Sequence, residues 1–287
     1  MEEKENLLVV ILDINQQEWT NQSEVFQKFV DSVMVLCNSY LMFSHSNDLA
    51  FYACDTTSAT MLYPSEPITD STQSSVMNDG KFELFMELNG ILSTRLKEII
   101  SNKQYKNKDQ VEPVSMLAGA FSQALCYIHK KTSKVRGLNS RILILKSSPD
   151  VSAQYMSIMN CIFASQKNNI TVDACSLFRK SGFMQQAADI TRGTYHYVEN
   201  TNSLLELMLW IYLPDQSIRH KLQLPLNVEI DYRAACFCHR KLVEIGFVCS
   251  VCLSIYCQFM PKCSTCQTRF KLPQLPAMKS KKKKKAV

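Results

Sequence analysis

Residues 7–13 read LLVVILD, six apolar side chains closed by Asp13. A continuous apolar run of this length suits a strand buried on both faces, the position of an interior strand in a parallel sheet. Working outward, the same strand-sized signal recurs at Leu49–Cys54 (LAFYAC), Arg141–Lys146 (RILILK), Ile170–Leu177 (ITVDACSL) and Thr194–Val198. Helical spacing fills the intervals. After Ser23, a candidate N-cap, apolar residues fall at 26, 29, 30, 33, 34, 37, 40 and 41, the 3.6-residue period of a half-buried helix. Phe82–Ile100, a helix opened by Pro113 with Leu117, Ala120, Phe121, Ala124, Leu125 and Ile128 on one face, Tyr155–Gln166 and Phe183–Thr191 follow the same rule. Gly193 breaks the last of these. Ser203 and Glu206 have the spacing of a capping box for a final helix that Pro214 stops. Strands alternating with helices in this way predict an α/β domain: an open parallel sheet flanked by helices.

The chain divides on composition. Residues 1–213 are the α/β domain, 214–231 a proline-punctuated linker, 232–272 a thiol-rich module, and 273–287 a basic tail. Residues 64–80, rich in Ser, Thr and Pro, read as a surface loop, and 101–112 as a polar stretch. Of 287 residues, 46% are hydrophobic and 20% charged, a balance that supports a sizeable core. The formal net charge of +6 is unevenly spread. Lys279 and Lys281 to Lys285 crowd the tail, and everything before Cys236 is mildly acidic. The start, MEEKENLLVVILD, has the wrong charge for a signal peptide, and no apolar run approaches the roughly 20 residues that span a bilayer. The expected setting is therefore reducing, with thiols free or bound to metal rather than paired as disulfides.

Seven of the twelve cysteines fall between Cys236 and Cys266. The most specific pattern in the chain is Cys249-x-x-Cys252, ten residues, then Cys263-x-x-Cys266. Two such pairs can each place two sulfurs on one ion and complete the tetrahedral four-sulfur shell of structural zinc. A shell of four thiolates is closed, which argues against catalysis at the metal. Cys236, Cys238, His239 and Cys257 are left over. They supply either a second, cross-braced site or spare thiols. The adjacency of Cys238 and His239 speaks against joint ligation, and Cys257 has no neighbour in sequence. Cys37, Cys54, Cys126, Cys161 and Cys175 sit singly on predicted elements and are expected in the core.

The α/β domain offers little chemistry. Its few glycines form neither GxGxxG nor GxxxxGK[ST], and there is no GxSxG elbow. His129 and His196 lack visible nucleophile or acid partners. Ligands of open α/β sheets bind at the carboxyl ends of strands, which draws attention to Asp13. Asp13, Asn15, Gln17, Ser115, Ser147, Ser148 and Asp150 are candidate oxygen ligands for a divalent ion, but one acid with amides is a weak set.

Four strings, DYRAACFCHR (231–240), IGFVCSVCLS (245–254), LPDQ (213–216) and ALCYIH (124–129), carry a family resemblance. With them, the whole order of the chain resembles the subunit 3 family of general transcription factor IIH. The resemblance implies a von Willebrand factor A-like domain over residues 5–213. Many such domains bind a metal through a DxSxS motif, a Thr and a further Asp. Here that motif reads Asp13-x-Asn15-x-Gln17 with Ser115 at the Thr position, so the site is expected to be degenerate and the domain to bind proteins. The four-cysteine zinc finger of the family falls on Cys249, Cys252, Cys263 and Cys266. The resemblance further implies a non-catalytic scaffold subunit in the nucleus, acting in RNA polymerase II initiation and nucleotide excision repair, with subunit 2 of the same factor as its chief partner. Two other functions compete. A RING-like zinc module would act as a ubiquitin ligase, and the basic C-terminal region would bind DNA directly. The lysine run is expected to serve nuclear import, with any DNA contact indirect or weak.

Overall fold

A computed structural model describes residues 5–19, 23–64, 81–101, 114–135, 137–151, 154–224, 230, 232–239 and 241–270. Residues 65–80 of the loop expected at 64–80, residues 102–112 of the polar stretch expected at 101–112, Pro113, most of the later linker and the lysine tail lie outside the described residues, as do the side chains of Gln17 and Ser23. The chain forms two compact units, Met1–Tyr232 and Arg233–Val287.

In the first unit, β1 (Asn6–Asp13) lies between β2 (Asn47–Cys54) and β4 (Asn139–Lys146) and pairs with both in parallel. β5 (Thr171–Leu177) and β6 (Tyr195–Val198) continue the sheet in parallel. Every residue from Leu7 to Asp13 is buried, because each face of β1 is roofed by helices. Residues 8, 10 and 12 point into a core shared with α1 (Gln16–Trp19), α2 (Ser23–Phe43), α3 (Lys81–Ser101) and α7 (Leu204–Tyr212). The other face is covered by α4 (Leu117–Thr132), α5 (Tyr155–Lys167) and α6 (Gly182–Thr191). On α4 the buried residues are Leu117, Ala120, Phe121, Ala124 and Ile128, the face its periodicity marks.

With β3 (Ala59–Tyr63) beyond β2, the strand order is β3-β2-β1-β4-β5-β6, the von Willebrand factor A-like arrangement that the resemblance implies. The difference from the sequence reading is at the edge. β3 (Ala59–Tyr63) runs antiparallel to β2 and closes a hairpin through the Asp55 N–H to the Ser58 carbonyl, 2.9 Å. Its alternation is too short and its burial too partial to give the long apolar signal of an interior strand.

Two local expectations are corrected, the capping box at Ser203 and the burial of Cys126. Ser203 and Glu206 do not form a capping box. The chain enters α7 through a 3-10 turn, Thr201–Ser203, capped by the Asn200 side chain, which accepts from the Asn202 N–H at 3.0 Å. Ser203 is already near-helical there, and its hydroxyl donates back to the Asn200 carbonyl. α6 ends at Thr191, before Gly193 as expected, and Arg192 makes its left-handed end at φ 60°. Glycine is required at 193 because a Cβ there would stand 1.9 Å from the Val172 carbonyl oxygen, inside β5. Cys126 is exposed, on the outward face of α4, whereas Cys37, Cys54, Cys161 and Cys175 are buried as expected.

Residues 214–224, read as the start of the linker, carry a short helix, α8 (Gln216–Arg219). Arg219 folds back onto β5 and grips Asp173. Among the described residues no helix is long and apolar enough to cross a membrane.

The second unit is built of short ladders: β7 (Ala234–Ala235) with β8 (Leu242–Val243), β9 (Phe247–Val248) with β10 (Ile255–Tyr256), and a single bridge between Lys262 and Arg269. Its buried core consists of Cys249, Tyr256 and Cys263, with Phe237, Met260 and Phe270 packed around them. So small an apolar core does not offset the entropy of ordering such a chain, and folds of this size depend on a staple.

Candidate metal centre

At the sheet edge, Asp13 is fully buried and ends β1. Its Oδ1 accepts from the Ser115 hydroxyl at 2.7 Å. Its Oδ2 accepts from the N–H groups of Ser148 at 2.9 Å and Ser147 at 3.3 Å, and from the Ser148 hydroxyl. The neighbouring ammonium of Lys146, 3% exposed, lies 2.9 Å from Asp150 and donates to the Ser148 carbonyl. Asp150 in turn accepts from the Ser181 hydroxyl at 2.6 Å and the Phe183 N–H at 3.2 Å, at the start of α6. The acceptor capacity that a hard cation needs is thus taken up by hydroxyls, amides and a lysine. Of the candidate oxygen ligands, Asp13, Ser115, Ser147, Ser148 and Asp150 are committed to these hydrogen bonds and to the lysine. Cys54, in the same pocket, is pushed well up, chiefly by burial and then by the Asp13 charge, and is no nucleophile.

The second unit is different. Two turns of the same build carry the four predicted cysteines. In the first, the Cys249 N–H donates to the Ser254 carbonyl at 2.9 Å, and Leu253 takes a left-handed φ of 61°. In the second, the Cys263 N–H donates to the Thr268 carbonyl at 2.9 Å, and Gln267 takes φ 63°. The flanking strands hold each turn shut and aim its first and fourth residues the same way. Cys249, Cys252, Cys263 and Cys266 therefore meet, with all sulfurs within 4.8 Å of one another. Cys249–Cys266 is 3.6 Å and Cys252–Cys263 is 3.5 Å. A disulfide needs about 2.05 Å. A tetrahedron of sulfurs about 2.3 Å from zinc has edges of about 3.8 Å, so the set is the size of a zinc shell.

Partners outside the sulfurs support thiolate character. The Tyr256 hydroxyl lies 3.0 Å from Cys263 Sγ, the Ser254 hydroxyl 3.1 Å from Cys252 Sγ and the Thr268 hydroxyl 3.1 Å from Cys266 Sγ. Burial raises the Cys263 thiol, but the Cys266 N–H, the Tyr256 hydroxyl and other nearby donors outweigh it and bring it down to about 5. For Cys249, the Cys252 and Val251 N–H groups pull downward, yet burial and the sulfurs of Cys252 and Cys266 hold it at about 11. Without metal, the cluster therefore keeps some of its protons. The residues fit zinc, which would hold the two turns together as a closed structural centre.

The four leftover residues were not separable from sequence. Cys236, Cys238, His239 and Cys257 also bring their ligand atoms within 4.8 Å of one another. Adjacency of Cys238 and His239 proves no obstacle to convergence. Cys257 gains its partners across the fold, 3.4 Å from Cys238 Sγ and 3.1 Å from His239 Nδ1.

The family model described as "Transcription factor Tfb4" matches residues 5–267. Among curated relatives, the general transcription and DNA repair factor IIH subunit tfb4 of Schizosaccharomyces pombe is 38% identical over 271 residues, covering 92% of this chain and 89% of the relative. The corresponding TFB4 subunit of Arabidopsis thaliana is 34% identical over 97% of this chain and 94% of its own length. Among solved structures, the crystal structure of the TFIIH p34 N-terminal domain superposes with a TM-score of 0.61 at 28% identity, covering 72% of this chain and 97% of that one. The match spans both units, from the start of β1 to just past the last of the four paired cysteines, and the chain belongs to the transcription factor Tfb4 family.

Proposed function

We propose that this chain is a non-catalytic scaffold subunit of the core of general transcription factor IIH, working in the nucleus in RNA polymerase II initiation and nucleotide excision repair. The observation that carries this reading is the match of a transcription and DNA repair factor subunit to 92% of the chain. Its chief partner is subunit 2 of the same factor. Its zinc is held by Cys249, Cys252, Cys263 and Cys266 and has a structural role. Three features support a docking rather than a chemical function. The Asp13 pocket is satisfied internally. The four-sulfur centre offers no open coordination position. The zinc-bearing unit exposes Ile245, Val251 and Leu253 at 88%, 64% and 71%, apolar surface of the kind that marks a protein interface. The domain plan that goes with this reading is an α/β domain over 1–213, a linker over 214–231, a zinc module over 232–272 and a basic tail over 273–287.

The test is purification of the tagged full chain from nuclear extract with partner identification. Recovery of the other factor subunits, subunit 2 foremost, is expected; recovery of the chain alone refutes the scaffold. A second reading, a ubiquitin ligase, has one observation in its favour: the two ligand groups interleave along the chain as in a cross-braced module. It predicts ubiquitin chain formation with a panel of conjugating enzymes, and an inactive chain removes it. Direct DNA binding by the lysine tail predicts an affinity that falls steeply with salt and flattens on deletion of residues 279–287.

A further inference from the structure

The turn that carries each half of the four-sulfur centre has a signature that recurs a third time. In the first two, residue i is the leading cysteine. Its N–H donates to the carbonyl of i+5: Cys249 to Ser254 and Cys263 to Thr268, both at 2.9 Å. Residues i−1 and i+6 face each other across an antiparallel pair: Val248 with Ile255 and Lys262 with Arg269. The metal-facing positions are i and i+3. Taking Cys236 as i, its N–H donates to the Lys241 carbonyl at 2.8 Å, and Ala235 pairs with Leu242. The i+3 position is then His239. The third turn thus presents Cys236 and His239 in the places that Cys249 and Cys252 hold in the first.

What completes the set is a contact between turns. The Phe237 N–H donates to the Ile255 carbonyl at 2.8 Å, fastening the third turn to β10. The next residues of β10 lead to Cys257, which is thereby set against the turn. Its sulfur lies 3.4 Å from Cys238 and 3.1 Å from His239 Nδ1. The Lys241 N–H points at Cys236 Sγ, 3.4 Å away, an amide-to-sulfur bond suited to a bound thiolate.

We propose that Cys236, Cys238, His239 and Cys257 form a second metal site, three thiolates and one imidazole, taking Zn2+ as a structural ion. Tetrahedral zinc accepts this donor set as readily as four sulfurs. A tetrahedron with bonds of about 2.3 Å to sulfur and about 2.0 Å to nitrogen has edges of about 3.5 to 3.8 Å, so the atoms need to move outward only by tenths of an ångström. Sulfurs 3.4 Å apart are not a disulfide. The site is separate from the Cys249, Cys252, Cys263, Cys266 centre, and the ligands of the two alternate along the chain. Each ion then locks segments that the other does not reach, and the small core of the unit gains two staples.

The experiment is metal analysis of the full-length chain by mass spectrometry, on wild type and on Cys257→Ser and Cys263→Ser. Two zinc ions per chain are expected in wild type, falling to one in either variant. One zinc in wild type that survives Cys257→Ser overturns the second site and leaves the first standing. One zinc that survives Cys263→Ser and is lost in Cys257→Ser upholds the second site and removes the first. No zinc removes both. Should a variant fail to fold, X-ray absorption on wild type decides. A first shell of sulfur with one nitrogen in eight ligands supports the site, and sulfur alone overturns it.

Discussion

Replacing Asp173 with alanine tests how the first unit holds its far end. Asp173 sits on β5, fully buried. Its oxygens accept from Arg219 Nη1 and Nη2, each at 2.6 Å, and from the Thr194 N–H at 2.8 Å. A second guanidinium, Arg141, stands 3.7 Å away. Arg219 is itself 7% exposed and also donates to the Pro214 carbonyl at 3.3 Å. One carboxylate therefore faces two guanidiniums, the buried Arg219 and the partly buried Arg141. Burial presses the Arg219 pKa down, yet its bonds to Asp173 outweigh that and leave it raised, whereas for Arg141 burial wins. Truncation strands the Arg219 charge, whereas Arg141 keeps the Pro214 carbonyl at 2.9 Å, and breaking a buried pair from one side costs about 3–5 kcal/mol. For a unit of this size 1 kcal/mol moves Tm by about 2–4 °C, so the fall is about 6–20 °C. Arg219→Met should cost less, because Asp173 keeps Arg141 and the Thr194 amide. The double variant should fall short of the sum by about 1–3 kcal/mol. Urea and thermal unfolding of the full chain, followed through the buried Trp19, reads all three. A loss below about 1 kcal/mol for Asp173→Ala, or strict additivity, refutes the reasoning.

Other outcomes follow from the same geometry. Gly193→Ala forces a Cβ into the Val172 carbonyl and should cost about 3 kcal/mol or more by urea unfolding; a neutral variant contradicts the close approach. Ser181 caps α6 by accepting from the Met184 N–H and is tied to Asp150, so Ser181→Ala should cost about 1–2 kcal/mol in the same assay. Millimolar Mg2+ should leave Tm unchanged, since the Asp13 oxygens are committed to Ser115, Ser147 and Ser148; a stabilisation that saturates with Mg2+ argues otherwise. Without metal, Cys249 at about 11 is protonated at pH 7 and Cys263 at about 5 is not. Zinc binding at pH 7 should therefore release the Cys249 proton, and affinity should fall as pH drops and the thiolates are reclaimed by protons. Calorimetry in buffers of different ionisation enthalpy measures that release, and no buffer dependence would exclude it.

The interior of the sheet was legible because it is an extreme environment. A strand flanked by two others and roofed on both faces must be apolar throughout, and LLVVILD and RILILK are. The antiparallel edge at Ala59–Tyr63 escaped notice because one neighbour and a half-exposed face impose no such uniformity. The Ser203–Glu206 pattern misleads for a related reason: capping residues report a local hydrogen bond, and here the side-chain cap belongs to Asn200 and the 3-10 turn that precedes α7. Arg219 was unreadable because its partner lies 46 residues away on β5. The thiol module shows both limits together. The paired spacing of Cys249, Cys252, Cys263 and Cys266 encodes convergence directly. Cys236 and His239 share that spacing, a signal present in the sequence but obscured by Cys238 between them. Cys257 depends on the Phe237–Ile255 backbone bond, which no spacing records.

The central claim is that this chain joins a multisubunit factor through a metal-built docking unit. Affinity purification of full-length wild type and of Cys263→Ser/Cys266→Ser from nuclear extract, with hydrogen exchange on both, tests it most directly. The account predicts that wild type brings down the other factor IIH subunits. It predicts that the variant loses part or all of them while exchange protection in β1, β4 and β5 is unchanged. Full recovery of those subunits with the variant, or recovery of wild type alone, would contradict it.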